Sequence, residues 1–170
     1  MRNRKRPDEK AYMKIVDDLA RFFRIHDREV RNVRRLAREI HDRLDEISPF
    51  VENVTRRVCP SCRDVCCISE HGFYSSEDIV YMYALGLEPP LPDFSRNDSD
   101  PCRFLSANGC VMARRVRPSG CNWYFCESLF DNMETQRDYQ MFDDALAEIA
   151  ALWLKMVEEF SLLRGGNVEL

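Results

Sequence analysis

Eight cysteines stand in the middle of the chain in two groups of four. The first group is Cys59, Cys62, Cys66 and Cys67; the second is Cys102, Cys110, Cys121 and Cys126. A Cys-x-x-Cys turn such as Cys59-Pro60-Ser61-Cys62 aims two sulfurs at one point, and thiolates select zinc, copper(I) or iron–sulfur clusters over hard cations. The pattern predicts a metal centre drawn from all eight. Cys66 and Cys67 are neighbours, and adjacent side chains diverge in extended backbone. They either serve two centres, or one of them ligates while the other supports it or stays a free thiol. The competing account, that the thiols are simply small buried hydrophobes, fits poorly with so tight a cluster in a cytosolic chain.

The metal itself is less sharply indicated. Zinc ribbons pair two Cys-x-x-Cys units with glycine after the second cysteine, whereas here Arg63 follows Cys62 and the second group is spaced by seven, ten and four intervening residues. Val65, Ile68, Phe104, Leu105, Val111, Met112, Trp123, Tyr124 and Phe125 lie beside the cysteines, and an apolar shell of that kind shields a cluster from water. The expected cofactor is an iron–sulfur cluster, [4Fe–4S] among the options, ahead of zinc. His71, four residues past Cys67, is a candidate ligand but fits a supporting role better, and His26 belongs to an apolar helical seam. Arg114, Arg115 and Arg117 read as a solvated run, or as positive charge that compensates an anionic thiolate centre.

No carboxylate pair lies near a candidate nucleophile and no serine or threonine sits in a recognisable elbow, so no catalytic residue is expected. The alternative function is a thiol/disulfide redox enzyme or sensor using Cys59 and Cys62, although the surrounding βαβ pattern of a thioredoxin-like protein is missing.

The elements that must position the cysteines lie on either side. From Asp8 to Ile47 there is no Gly and no Pro, and Leu19, Phe23, His26, Val30, Val33, Ala37, Ile40, Leu44 and Ile47 recur in steps of four and three. This predicts one long helix that Ser48-Pro49 ends. Phe142, Leu146, Ile149, Trp153, Met156, Phe160 and Leu163 repeat the spacing before Gly165-Gly166 stops a second helix. Residues 1–48 carry 14 Lys/Arg against 10 Asp/Glu, and residues 127–170 carry 3 against 10, so the two seams have opposite charge and are expected to pack together. The loop-rich stretch 49–126 holds seven of the eight prolines. Within it Ser75-Ser76-Glu77-Asp78 caps a short helix over Ile79–Leu85 that Gly86 stops.

The run Cys59-x-x-Cys62-x-x-x-Cys66-Cys67, then Pro101-Cys102-Arg103-Phe104-Leu105, Gly109-Cys110, Val116-Arg117-Pro118-Ser119-Gly120-Cys121 and Cys126 resembles the bacterial YkgJ-type cysteine-cluster family. The resemblance covers residues 59–126 and implies a zinc- or iron-chelating domain. Arg63, Asp64 and Val65 put three residues before the Cys66-Cys67 pair where the family pattern has two. Relatives of that family include flagellin lysine methylases, but the chain has no glycine-rich cofactor loop that would carry methyl transfer over.

The fold expected is mainly α: a loop-rich, cysteine-ligated metal-binding domain flanked by long N- and C-terminal helices. The organisation is residues 1–48 as a helical arm, 49–126 as the cysteine domain and 127–170 as the C-terminal helix, in one compact unit. The segment Met1–Pro7 runs into charged residues rather than an apolar leader, and no run of 18 apolar residues occurs, which places the chain in the cytoplasm and off the membrane. A protein partner or self-association through the helical arms is expected, and nucleic acid is not.

Overall fold

The computed structural model describes residues 8–62, 65–107 and 109–165. The basic segment Met1–Pro7, the spacer residues Arg63 and Asp64, and Gly166 lie outside the described residues. Six α-helices, two short 3-10 turns and one short hairpin make up the regular structure among them.

The first expected helix is two. α1 runs Glu9–Ile25, started by Asp8, whose carboxylate accepts the Ala11 N–H at 2.8 Å. The chain turns over residues 26–30 and resumes as α2, Arg31–Val58. No Gly or Pro marks that turn. Tertiary packing decides it: α1 buries Tyr12, Val16, Leu19 and Phe23 beside α3 (Ser76–Ala84), while α2 lies chiefly on α6 (Tyr139–Leu163), and one straight rod cannot serve both. Asp27 and Arg34 bridge the corner at 3.0 Å.

The predicted stop at Ser48-Pro49 is also corrected. α2 continues through Pro49 to Val58, because Val51 and Val54 extend the seam from Ile47 and are fully buried. Burying two β-branched side chains, at about 1.5–3 kcal/mol each, offsets a helix-interior proline that costs ~3 kcal/mol.

α6 pairs with α2 as the matching seams require, and this is the most extensive contact between elements. Phe142, Ile149, Trp153, Met156 and Phe160 are buried, whereas Leu163 at the end of the predicted seam is exposed. Phe50 of α2 stacks on Phe142 of α6 with centroids 4.8 Å apart, and Phe23 of α1 stacks on Phe160 at 5.6 Å. The charge complement shows as Arg43 of α2 against Glu148 of α6 at 3.2 Å, a solvent-exposed pair that water screens. Gly165, at φ +83°, follows α6, a left-handed position that glycine takes without strain.

α3 is built as the sequence reads. Ser75 accepts the Asp78 N–H while Asp78 accepts the Ser75 N–H, and Gly86 follows the helix at φ +76°. It is buried on nearly every side, with Ile79, Val80, Tyr81, Met82 and Ala84 in the same core as the long helices. The short helices α4 (Gly120–Trp123) and α5 (Glu127–Glu134) and the antiparallel pair β1 (Leu105–Ser106) and β2 (Gly109–Cys110) complete the structure. Among the described residues no helix is long and apolar enough to cross a membrane.

Candidate metal centre

Five separate backbone devices position the eight cysteines. Cys59 follows α2 directly and opens a 3-10 turn over Cys59–Ser61, which the Cys62 N–H closes onto the Cys59 carbonyl at 3.2 Å. Cys126 is the residue just before α5, and its carbonyl accepts the Leu129 and Phe130 N–H groups. Cys59 and Cys126 both pack against the helical core. The remaining thiols of the first group, Cys66 and Cys67, lie in irregular chain leading to a bridge between Ile68 and Pro101, where the Ile68 N–H donates back to the Cys66 carbonyl at 3.0 Å.

That bridge draws the second group in. The Cys102 N–H donates to the Cys67 carbonyl at 2.8 Å and the Ser69 N–H to the Asp100 carbonyl at 2.8 Å, so residues 67–69 and 100–102 run side by side. The β1–β2 hairpin then places Cys110 opposite Leu105, three residues beyond Cys102. Cys121, on α4, donates its thiol to the His71 carbonyl at 3.7 Å. Gly72 completes this corner: a Cβ there would stand 2.7 Å from the Cys102 sulfur and push it aside.

The loop is fastened to the helical core by polar groups rather than by apolar packing alone. Tyr74 donates its hydroxyl to the Val116 carbonyl at 2.6 Å, and Tyr81 to the Arg115 carbonyl at 2.9 Å. Asp78, almost wholly buried, accepts the Ser119 N–H at 2.9 Å two residues before Cys121. Burial pushes the Asp78 carboxyl up despite these donors. Trp123 meets Trp153 of α6 edge-on at 6.2 Å.

All eight cysteines are half-buried and none is in a disulfide. Burial, then the neighbouring thiols, pushes several of them up: Cys66 to about 11, beside Cys67 and Cys126, and Cys121 to about 12, beside Cys110 and Cys102. Cys59 rises by burial and by Cys66, Cys126 and Cys62, and Cys67 by burial and by Cys59, Cys110 and Cys102. Cys66 and Cys126 share a thiol hydrogen bond. Among the described residues no three Cys, His, Asp or Glu side chains stand at ligating separation as they are. Protonated thiols have no charge to bring them closer, and a metal binds only after displacing those protons. The donor set, soft sulfur gathered within reach of its own repulsion, fits a thiophilic metal.

The three arginines divide. Arg114 is buried, donating from Nη1 to the Cys121 carbonyl at 3.1 Å and to Asn122 Oδ1 at 3.2 Å, with no partner for Nε. Burial and Arg117 lower it to about 10, while Cys121 and Cys110 act to raise it. Arg117 donates from Nε to the Met112 carbonyl and its charge reaches Cys121. Arg115 turns away to Asp45 of α2 at 2.8 Å and is a surface ion pair. Of the three, Arg114 and Arg117 are the ones beside Cys121.

His71 is exposed, and its Nδ1 donates to the Cys66 carbonyl at 2.9 Å, since that oxygen can only accept. It braces the backbone of Cys66. His26 rests on the Phe22 ring, centroids 4.4 Å apart, at the corner after α1. The apolar shell is incomplete: Phe125 is buried and Phe104 and Trp123 pack on the core, but Val65, Val111 and Tyr124 face solvent. Proximity in sequence to a cysteine does not place a side chain inward when successive residues of a loop point to opposite sides. The roles of Gly72, Asp78 and Tyr74 escaped the sequence reading, because each acts through a contact more than 25 residues away.

No family model matches the chain, and no match was found among curated proteins or solved structures.

Proposed function

We propose that the chain is a metal-binding protein that holds an iron–sulfur cluster or zinc through its cysteines and has no catalytic group of its own, as its resemblance to the YkgJ-type cysteine-cluster family implies. The observation that carries this reading is the convergence of eight disulfide-free cysteines, from the end of α2, the 66–67 segment, the β1–β2 hairpin, α4 and the start of α5, on one region beside the helical core. Cys59, Cys62, Cys66, Cys67, Cys102, Cys110, Cys121 and Cys126 would supply the ligands. Bound, the metal supplies a structural crosslink and, if iron–sulfur, a one-electron redox centre. The protein's own part is to hold the thiols, brace Cys66 through His71 and set Arg114 and Arg117 against the charge of the thiolates.

A reducing compartment such as the cytoplasm keeps such thiols available. The apolar seams of the long helices are consumed by each other, so a protein partner or a second copy would use the outer side of α6, where Leu154 and Leu162 are exposed. The thiol/disulfide reading for Cys59 and Cys62 gains less support, since a reactive cysteine needs a lowered pKa and burial raises that of Cys59.

Anaerobic purification with metal analysis and an absorption spectrum tests the proposal. A coloured protein with iron and acid-labile sulfide is expected. Stoichiometric zinc in a colourless protein replaces the cluster by zinc, and a folded, metal-free protein that takes up neither metal overturns the reading.

A further inference from the structure

Cys66 and Cys67 are adjacent in sequence but differ in company. The thiol of Cys66 is hydrogen-bonded with Cys126, and its backbone carbonyl is held by His71. Cys126 in turn sits with Cys59 against the helical core, and Cys59 and Cys62 are joined by their own turn. The carbonyl of Cys67 is instead bonded to the Cys102 N–H. The hairpin sets Cys110 beyond Cys102, and Cys121 is fastened to His71 next to Gly72, which touches Cys102. The first set is therefore built on the ends of α2 and α5, and the second on the bridge, the hairpin and α4.

We propose that the eight thiols form two abutting four-thiol sites, Cys59, Cys62, Cys66 and Cys126 in one and Cys67, Cys102, Cys110 and Cys121 in the other, each taking its own thiophilic metal centre, zinc or an iron–sulfur cluster. This rests on the metal-binding reading above. The Cys66 thiol is bonded to Cys126 while the Cys67 backbone is bonded to Cys102, so the adjacent pair is divided between the two groups of thiols. The neighbouring thiols run the same way: Cys62, Cys66 and Cys126 lie near Cys59, and Cys67, Cys102 and Cys110 lie near Cys121. Two contacts cross between the sets, since the Cys66 and Cys67 thiols are hydrogen-bonded to each other and Cys67 also lies near Cys59. The backbone bond to Cys102 assigns Cys67 to the second site, and the crossing contacts make the sites neighbours.

The environments also differ. Arg114 and Arg117 flank Cys121, and the buried Arg114 keeps an unpartnered Nε. The charges acting on Cys59 are those of other cysteines. The second site is the one whose net negative charge, once metallated, has a cation beside it.

The test is stoichiometry. The reduced, metal-free full chain is titrated anaerobically with Co²⁺, followed by the thiolate-to-cobalt charge-transfer band. The parent is expected to saturate at two equivalents. Cys62→Ser with Cys66→Ser is expected to saturate at one, and Cys66→Ser with Cys121→Ser to show no tight uptake. Saturation of the parent at one equivalent, abolished by either Cys66→Ser or Cys121→Ser alone, overturns the partition and leaves the metal-binding reading standing. No uptake by the parent, with neither iron nor zinc in the purified protein, overturns both. Circular dichroism reports whether each variant keeps its helices, and the parent stoichiometry decides the matter even if a variant does not fold. In the protein as purified, two zinc ions, or iron and sulfide for two clusters, support the partition, and the content of a single centre overturns it.

Discussion

At the scale of single residues the cysteines depend on what prevents their escape. A thiol side chain has one rotatable bond, so the position of each sulfur is set by backbone and by whatever fills the alternative rotamers. Gly72 illustrates this. A methyl group there would meet the Cys102 sulfur at 2.7 Å, and the sulfur can yield only by rotating about χ1, away from its place in the group. Gly72→Ala is expected to weaken metal uptake by roughly 10-fold or more, the range seen when supporting contacts of metal ligands are lost. Helical circular dichroism should be unchanged. Competition with a chromophoric chelator measures the loss, and an unaltered affinity would show that Cys102 is not a ligand.

At the scale of elements the decisive feature is how α2 ignores its proline. Pro49 offers no N–H to the carbonyl one turn before it and crowds that carbonyl, yet the helix continues because Val51 and Val54 are buried. The same continuation delivers Cys59 to the site at the end of a rigid helix rather than on a loop. Pro49→Ala restores the missing bond. Part of the gain is lost to a freer unfolded chain, which costs about 0.4–1 kcal/mol. The expected net effect is a stabilisation of about 2–2.5 kcal/mol in urea denaturation at fixed metal content. A lowered midpoint would mean that the proline ring fills space that alanine leaves empty.

At the scale of the whole molecule, the core is continuous through α3 while the cysteine loops are tied on by a few polar bonds, notably those of Tyr74, Tyr81 and Asp78. Metal binding at structural zinc sites supplies on the order of 10 kcal/mol of folding free energy. The loops should depend on it and the core should not. Chelation under reducing conditions is therefore expected to open protease sites within residues 62–72 and 98–113, with α3 protected and most helical dichroism retained. Cleavage of α3 at the same rate would contradict an independent helical core. Loops as resistant as before would show that the cysteines do not hold them.

Much of this was legible in the chain itself. The four-three spacing of apolar residues determined that long helices exist and which sides they bury, because burial of one face needs only a local period. Ser75, Asp78 and Gly86 determined α3 for the same local reason, each cap acting within a turn of its helix. The cysteine count and spacing marked the candidate site. What the tertiary structure decided is of another kind: the corner between α1 and α2, the passage of α2 through Pro49, and the company that Cys66 and Cys67 keep. Each of these turns on partners distant in sequence, such as α6 for α2 and Cys102 for Cys67. Local propensity disfavours a proline inside a helix, and only the burial supplied by other elements outweighs it. A spacing pattern likewise records which thiols are near along the chain, whereas ligation depends on which are near in space.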